Sequence, residues 1–99
     1  MGKQITLLFF ILIGFCATAQ TINIKGVVKD AATGDVLPGV SIIIKGTVKG
    51  TETDFDGMYN FTNVNTKATL VFRYLGYKQK EVTAVNGTLN VSLEVEAES

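Results

Sequence analysis

The sequence predicts an all-β domain, folded as a seven-stranded antiparallel β-sandwich, and three observations support this. Apolar residues recur at every second position over short stretches, as in Leu70, Phe72 and Tyr74, which is typical of half-buried strands. Glycine, asparagine and aspartate separate these stretches about every 8–12 residues, as in sandwich domains. No stretch longer than one turn combines apolar residues at helical spacing with a capping residue. Two sheets that bury their alternating faces against each other satisfy this pattern.

The first nineteen residues have the pattern of a secretory signal peptide. Lys3 precedes an apolar run over residues 5–15, and small residues in an A-x-A pattern end at Ala19. A retained membrane anchor is the alternative, but a spanning helix needs roughly 20 apolar residues and this run is shorter. Cleavage between Ala19 and Gln20 is therefore predicted.

The mature chain, residues 20–99, is predicted to be one small domain of nearly balanced charge. Without Lys3, eight basic residues stand against nine acidic ones, and no basic stripe indicates a nucleic-acid partner. Cys16 leaves with the leader, and the bulky Phe15 before it argues against lipidation. The mature chain then contains neither cysteine nor histidine, which excludes a disulfide, a thiolate metal site and the usual nucleophilic triads.

The first half of the domain is predicted to contain three strands, at residues 21–29, 40–45 and 51–53. Alternate residues of the first two strands are expected in the core: Ile22, Ile24 and Val28, then Val40, Ile42 and Ile44. The connections are predicted at residues 30–34, 37–39 and 46–50. Pro38 suits a strand start or an edge because it cannot donate to a β-ladder.

Four further strands complete the prediction: one after Gly57 and three at residues 69–74, 77–82 and 88–93. Their inward residues are Tyr59, Phe61, Leu70, Phe72, Tyr74, Leu89, Val91 and Leu93. The polar residues 63–67 are expected in a loop. Lys78 and Lys80 predict a protected edge strand, and Asn86-Gly87 predicts a tight hairpin because a type I′ turn needs positive φ at both central residues.

The turn Asp54-Phe55-Asp56-Gly57 contains the acidic pair that suggests chemistry. Asp54 and Asp56, with Glu52 nearby, could donate oxygens to Ca²⁺, although a calcium site usually takes six or more. The favoured interpretation is structural: the carboxylates accept backbone N–H bonds and Gly57 takes a positive φ. Two acids on one turn, with no aromatic platform, also fit glycoside hydrolysis poorly. We therefore predict no catalytic, cofactor-binding or metal-binding residue and no enzyme activity.

The mature chain resembles a known family over nearly all of its length. The motifs that match the start of the carboxypeptidase-regulatory-like domain are residues 24–30, 33–34 and 37–40. Further matching segments follow in order at residues 43–47, 50–51, 53–59 and 70–77. The chain is most similar to the version that forms the N-terminal extension of SusC/RagA-type TonB-dependent outer-membrane receptors of Bacteroidetes.

This resemblance implies a transthyretin-like (prealbumin-like) sandwich that faces the periplasm. In that family the domain precedes a plug and a β-barrel that imports nutrients, with energy from the inner-membrane TonB complex. The given sequence stops at Ser99, so we expect a non-enzymatic accessory or interaction domain, either a receptor fragment or a stand-alone protein. The partners implied are the receptor plug and barrel or components of the TonB system.

The expected organisation is a leader over residues 1–19, a β-sandwich over 20–94 and a flexible acidic tail over 95–99. The expected location is the periplasm, in association with the outer membrane. The alternative function is a secreted binding module for a glycan or another envelope protein. Phe55 is the turn aromatic on which a sugar ring would stack.

Overall fold

The computed structural model describes residues 20–96, which form two four-stranded β-sheets. The strands are β1 (Thr21–Asp30), β2 (Ser41–Ile44), β3 (Gly50–Glu52), β4 (Met58–Asn65), β5 (Thr69–Arg73), β6 (Lys80–Thr83), β7 (Gly87–Thr88) and β8 (Val91–Leu93). Within residues 20–96, no helix has the length and apolar character needed to cross a membrane. The predicted all-β class is confirmed. The leader lies outside the described residues, and its cleavage stays a prediction.

The first sheet is built around β1, the longest strand. β4 pairs with β1 antiparallel on one side, and β7 and β8 both pair with it parallel on the other side. The predicted last strand, at residues 88–93, is therefore two short strands on the same neighbour, separated by Leu89 and Asn90. This interruption is why the described residues form eight strands where seven were predicted.

The prediction of a hairpin at Asn86-Gly87 is wrong, and so is the expectation of purely antiparallel pairing. Gly87 has the positive φ that the dipeptide favours, at 103°. However, the segment carries the chain from β6 in the second sheet to β7 in the first. The Asn-Gly pair specifies a local backbone bend, whereas the partner of the next strand is decided by the free side of β1.

The predicted loop at residues 63–67 is also wrong in part, because β4 continues to Asn65. Ile22 pairs with Val64 while Ile24 pairs with Phe61, so β4 contains one extra residue at this point. Asn63 takes a φ of 57° there, and its N–H donates to Asn23 Oδ1 at 3.2 Å. This β-bulge accommodates polar residues and still returns Val64 to the core, where it is fully buried.

The second sheet has the order β3-β2-β5-β6, with antiparallel pairing throughout. The lysine-rich strand is confirmed as an edge, although it begins at Lys80. Between the sheets lies a core whose largest fully buried side chains are Phe72, Ile24, Ile42, Leu70, Leu93, Val28, Val40 and Val64. The Tyr59 ring meets Phe72 edge-on, with 5.8 Å between the ring centroids.

The connections divide between two ends of the sandwich. What we call the entry end has Gln20 and the loops at residues 45–49, 66–68 and 84–86; the exit end has the loops at 31–40, 53–57 and 74–79. The chain reaches its last described residues at the exit end, where Val95 pairs with Tyr77 and the Glu96 N–H donates to Gly76 O at 2.9 Å. Val95 and Glu96, which were expected in the flexible tail, are therefore bonded to this loop, and the flexibility of residues 97–99, which lie outside the described residues, stays a prediction.

Candidate interaction surface

Thr53 organises the exit end around Gly39. Its buried hydroxyl donates to Leu37 O at 2.6 Å and accepts from the Val40 N–H at 2.8 Å. Its own carbonyl accepts from the Gly39 N–H at 3.0 Å. Thr53 thereby satisfies backbone polar groups of Leu37, Gly39 and Val40. These bonds hold the turn at residues 37–40 beside the turn that follows β3. The sequence pattern indicates only that Thr53 ends a strand.

Asp54 closes the turn that carries Phe55. Its Oδ1 accepts from the N–H groups of Asp56 and Met58, each at 2.9 Å. The Asp54 N–H also donates to Met58 O at 2.8 Å, and the Gly57 N–H donates to Asp54 O at 3.0 Å. The structural interpretation is confirmed for Asp54, which forms an Asx turn, but among residues 20–96 no backbone N–H donates to the Asp56 carboxylate. Within residues 20–96, no three acidic, histidine or cysteine side chains are grouped as a metal site would require.

Phe55 projects from this rigid turn with 94% of its surface exposed. The side chain borders an apolar hollow of about 410 Å³ that is also lined by Pro38, Gly39 and Thr53. A large apolar side chain held out from a hydrogen-bonded turn loses little conformational entropy when a partner covers it. The position therefore suits a contact residue, whereas the sequence suggested Phe55 only as the ring on which a sugar would stack in the alternative, glycan-binding function.

Leu75 is a second exposed apolar residue at the exit end, and the sequence-based prediction did not include it. It is 97% exposed in a loop that is fixed by the bond from the Tyr77 N–H to Tyr74 O at 3.0 Å and by the positive φ of Gly76, 87°. One signal was present: alternation from Leu70 through Tyr74 directs residue 75 away from the core.

The hollow beside Leu75 adjoins the one beside Phe55. It has a volume of about 490 Å³, and its lining includes Gly39, Tyr74 and Tyr77. Gly39 lines both hollows, so the two exposed side chains border neighbouring hollows at this end. We name Pro38, Gly39, Phe55 and Leu75 the exit-end surface.

A polar contact joins this region to β1. The Tyr77 hydroxyl donates to Asp30 Oδ2 at 2.7 Å, and Asp30 Oδ1 accepts from the N–H groups of Ala32 and Thr33 at 2.7 and 3.0 Å. These bonds, above all the one from Tyr77, lower the pKa of the Asp30 carboxyl, because they stabilise its charged form. The same contact raises the pKa of the Tyr77 hydroxyl.

Residues 24–99 match the family model described as the CarboxypepD_reg-like domain. The chain belongs to this family. The resemblance that the sequence motifs indicated is therefore confirmed.

Two relatives in the family are named as receptors. The chain is 40% identical over 96 residues to TonB-dependent receptor P3 of Formosa agariphila. The alignment covers 97% of this chain and 10% of the relative. It is 36% identical over 88 residues to TonB-dependent receptor SusC of Bacteroides thetaiotaomicron. That alignment covers 89% of this chain and 8% of the relative. The chain thus spans about a tenth of the length of these curated relatives.

The fold is similar to a solved structure of low sequence identity. A chain in a type II cohesin–X-dockerin complex of Acetivibrio cellulolyticus aligns with a TM-score of 0.56 and 20% identity. The alignment covers 71% of this chain and 52% of that chain. This similarity supports the sandwich architecture alone.

Proposed function

We propose that the chain is a non-enzymatic accessory domain at the N-terminal side of a TonB-dependent receptor. The observation that carries the proposal is the 40% identity to a TonB-dependent receptor over 97% of this chain. Family membership alone gives the domain type, whereas this match connects the whole described domain to a receptor polypeptide. The same relative is about ten times longer than the matched region, which leaves ample chain for the transport machinery.

The proposed location is the periplasm, in association with the outer membrane. The predicted signal peptide supplies export. The match to the receptor of Formosa agariphila includes 96 residues of this chain, so most of the predicted leader lies within it. A shared leader joined directly to a shared domain supports a common route out of the cytoplasm.

The exit-end surface is the part of the domain that we assign to receptor contacts. Phe55 and Leu75 stand almost fully exposed on hydrogen-bonded turns, and covering apolar side chains of this size is worth about 1.5–3 kcal/mol each. Glu96 is hydrogen-bonded to the same loop that carries Leu75. A polypeptide that continues past Glu96 therefore starts beside this surface and reaches it at a high effective concentration.

Site-specific photocrosslinking tests the proposal in cells that express the protein from its own locus. A benzophenone amino acid replaces Phe55 or Leu75, and crosslinked peptides are identified by mass spectrometry. We expect both positions to crosslink to plug or other receptor peptides. The matched control is Val48, which is also fully exposed but lies in a loop at the entry end.

Two outcomes would contradict these claims, and they are distinguishable. If Val48 crosslinks to receptor peptides as efficiently as Phe55 and Leu75, the domain belongs to a receptor but the exit-end surface is not its contact. If none of the three positions yields receptor peptides and the locus encodes no receptor, the receptor function itself is wrong.

Glycan binding is the second candidate function, favoured by the exposure of the Phe55 ring beside an apolar hollow. Sugar rings stack on aromatic faces, so Phe55→Ala should abolish any signal of the purified domain on a glycan array. Leu75→Ala is the matched control, because it removes an equally exposed apolar side chain that has no ring. Absence of a signal from the wild-type domain would remove this candidate.

A further inference from the structure

The first and last strands of the described chain are neighbours that run in the same direction. Ile24 and Lys25 pair with Gly87 and Thr88, and β1 from Val28 to Asp30 pairs with β8 from Val91 to Leu93. β1 begins at the entry end and β8 finishes at the exit end. The two strands therefore overlap side by side while the chain enters and leaves the sandwich at opposite ends.

The gap between β7 and β8 is also bonded to β1. The Leu89 N–H donates to Lys25 O at 2.8 Å, and the Val27 N–H donates to Asn90 Oδ1 at 3.0 Å. Just beyond the overlap, the Ala31 N–H donates to Leu93 O at 2.9 Å. Hydrogen bonds thus connect β1 to the last segment along its length, although the regular ladder is interrupted.

Gly26 and Tyr59 stabilise the close contact between β1 and the residues that separate β7 from β8, which we call the junction. A Cβ on Gly26 would lie 1.9 Å from Leu89 O, so only glycine permits the close approach of the two backbones. Tyr59 is the direct partner of Gly26 on β4, and its hydroxyl donates to the same Leu89 O at 2.6 Å. One tyrosine thereby ties β4, on one side of β1, to the segment on the other side.

We propose that this arrangement gives the domain a mechanical function: β1 and the segment β7–β8 form a clamp that bears tension along the chain. A pull on the polypeptide beyond Glu96 draws β8 toward the exit end, while β1 is held from the entry end. The force is then parallel to both strands. The bonds between them are loaded together and must fail together. This inference holds whether or not the proposed receptor function is correct.

The same bonds resist weakly when they are loaded in a different direction. If both points of attachment lie at the entry end, the load acts across the strands there instead of along β1 and β8, and the bonds fail one at a time. Forced unfolding is governed by the unfolding rate under load. The direction of pulling, rather than the equilibrium stability, should therefore decide the unfolding force.

Single-molecule force spectroscopy on the chain from residue 20 to 99 tests the clamp. This segment contains no natural cysteine, so two introduced cysteines define the points of attachment. The pair Gln20→Cys and Glu96→Cys loads the clamp in shear, and the pair Gln20→Cys and Val85→Cys places both attachments at the entry end, so that the clamp is not loaded along its strands. We expect a severalfold higher unfolding force for the first pair at equal pulling speed. Equal forces, or a lower force for the first pair, would overturn the proposal.

Variants of the junction provide a second test. Asn90→Ala removes the acceptor for the Val27 N–H and should lower the unfolding force of the shear pair. Asn60→Ala is the matched control, because Asn60 is exposed on β4 and pairs with β1 on its other side. Asn90→Asp keeps an acceptor oxygen and should restore most of the force. If Asn60→Ala weakens the shear pair as much as Asn90→Ala does, the resistance lies outside the clamp.

Discussion

Gly57 shows how a single residue holds the exit end together. Its φ of 74° lies in the region that favours glycine, and its carbonyl accepts from the Val28 N–H at 2.8 Å. A Cβ at this position would lie 2.8 Å from the Cβ of Val36 and 2.9 Å from Val28 O. Backbone conformation and close packing therefore both require glycine here, and the turn that presents Phe55 depends on it.

Gly34 is a useful comparison, because it has the positive φ of Gly57 without its close packing. It has a similar φ of 79°, but a Cβ there would meet nothing within 4 Å. We expect Gly57→Val to lower the free energy of unfolding by about 1–3 kcal/mol more than Gly34→Val, because overpacking adds to the shared backbone strain. Urea unfolding of the two variants measures the difference. Equal losses would show that the contacts around Gly57 relax without penalty.

The contact between Asp30 and Tyr77 acts at the scale of elements, since it joins the end of β1 in one sheet to the loop between β5 and β6 in the other. The pKa of Asp30 is lower in the folded state, so this contact stabilises the fold above the ordinary carboxyl pKa and is lost as the pH falls through the folded value. The raised pKa of Tyr77 has the opposite sign: its contribution is present below the ordinary tyrosine pKa and is lost as the pH rises.

Tyr77→Phe should therefore destabilise the domain most near neutral pH. The difference in the free energy of unfolding between wild type and variant should shrink as the pH falls below about 4, the ordinary carboxyl value, toward the lower folded pKa of Asp30, and again as the pH rises above about 10. Chemical denaturation across this range is the measurement. Tyr74→Phe is the control, because it removes the hydroxyl of the neighbouring ring, whose centroid lies 5.5 Å from that of Tyr77, and leaves both partners of the bond between Tyr77 and Asp30 in place. A constant difference for Tyr77→Phe would refute the assignment.

At the scale of the whole molecule, the two ends of the sandwich have different roles. The exit end combines the exposed side chains of Phe55 and Leu75 with the last described backbone pairing, between Tyr77 and Val95. The entry end provides Gln20, which immediately precedes β1, the strand on which the clamp is built. A receptor contact at the exit end and tension along the chain through β8 would act on the same domain without sharing residues.

Most of the core could be predicted from alternation alone. Ile24, Val28, Ile42, Leu70 and Phe72 were expected inward and are fully buried, because a strand with one covered face places every second side chain against the other sheet. The interaction surface was less predictable. Phe55 stood out as a turn aromatic, whereas alternation only directs Leu75 away from the core and does not mark it as a contact residue.

The sequence by itself determined the sandwich class, the turns at Gly34 and Gly57, and the inward residues, because these depend on local backbone preference and on a period of two. Only the tertiary structure decided that β7 and β8 join β1 in parallel, that Asn63 forms a bulge and that Asn86-Gly87 crosses between sheets. The physical reason is that a strand's own residues fix its faces, but its partner depends on which backbone donors and acceptors remain free after distant strands have paired.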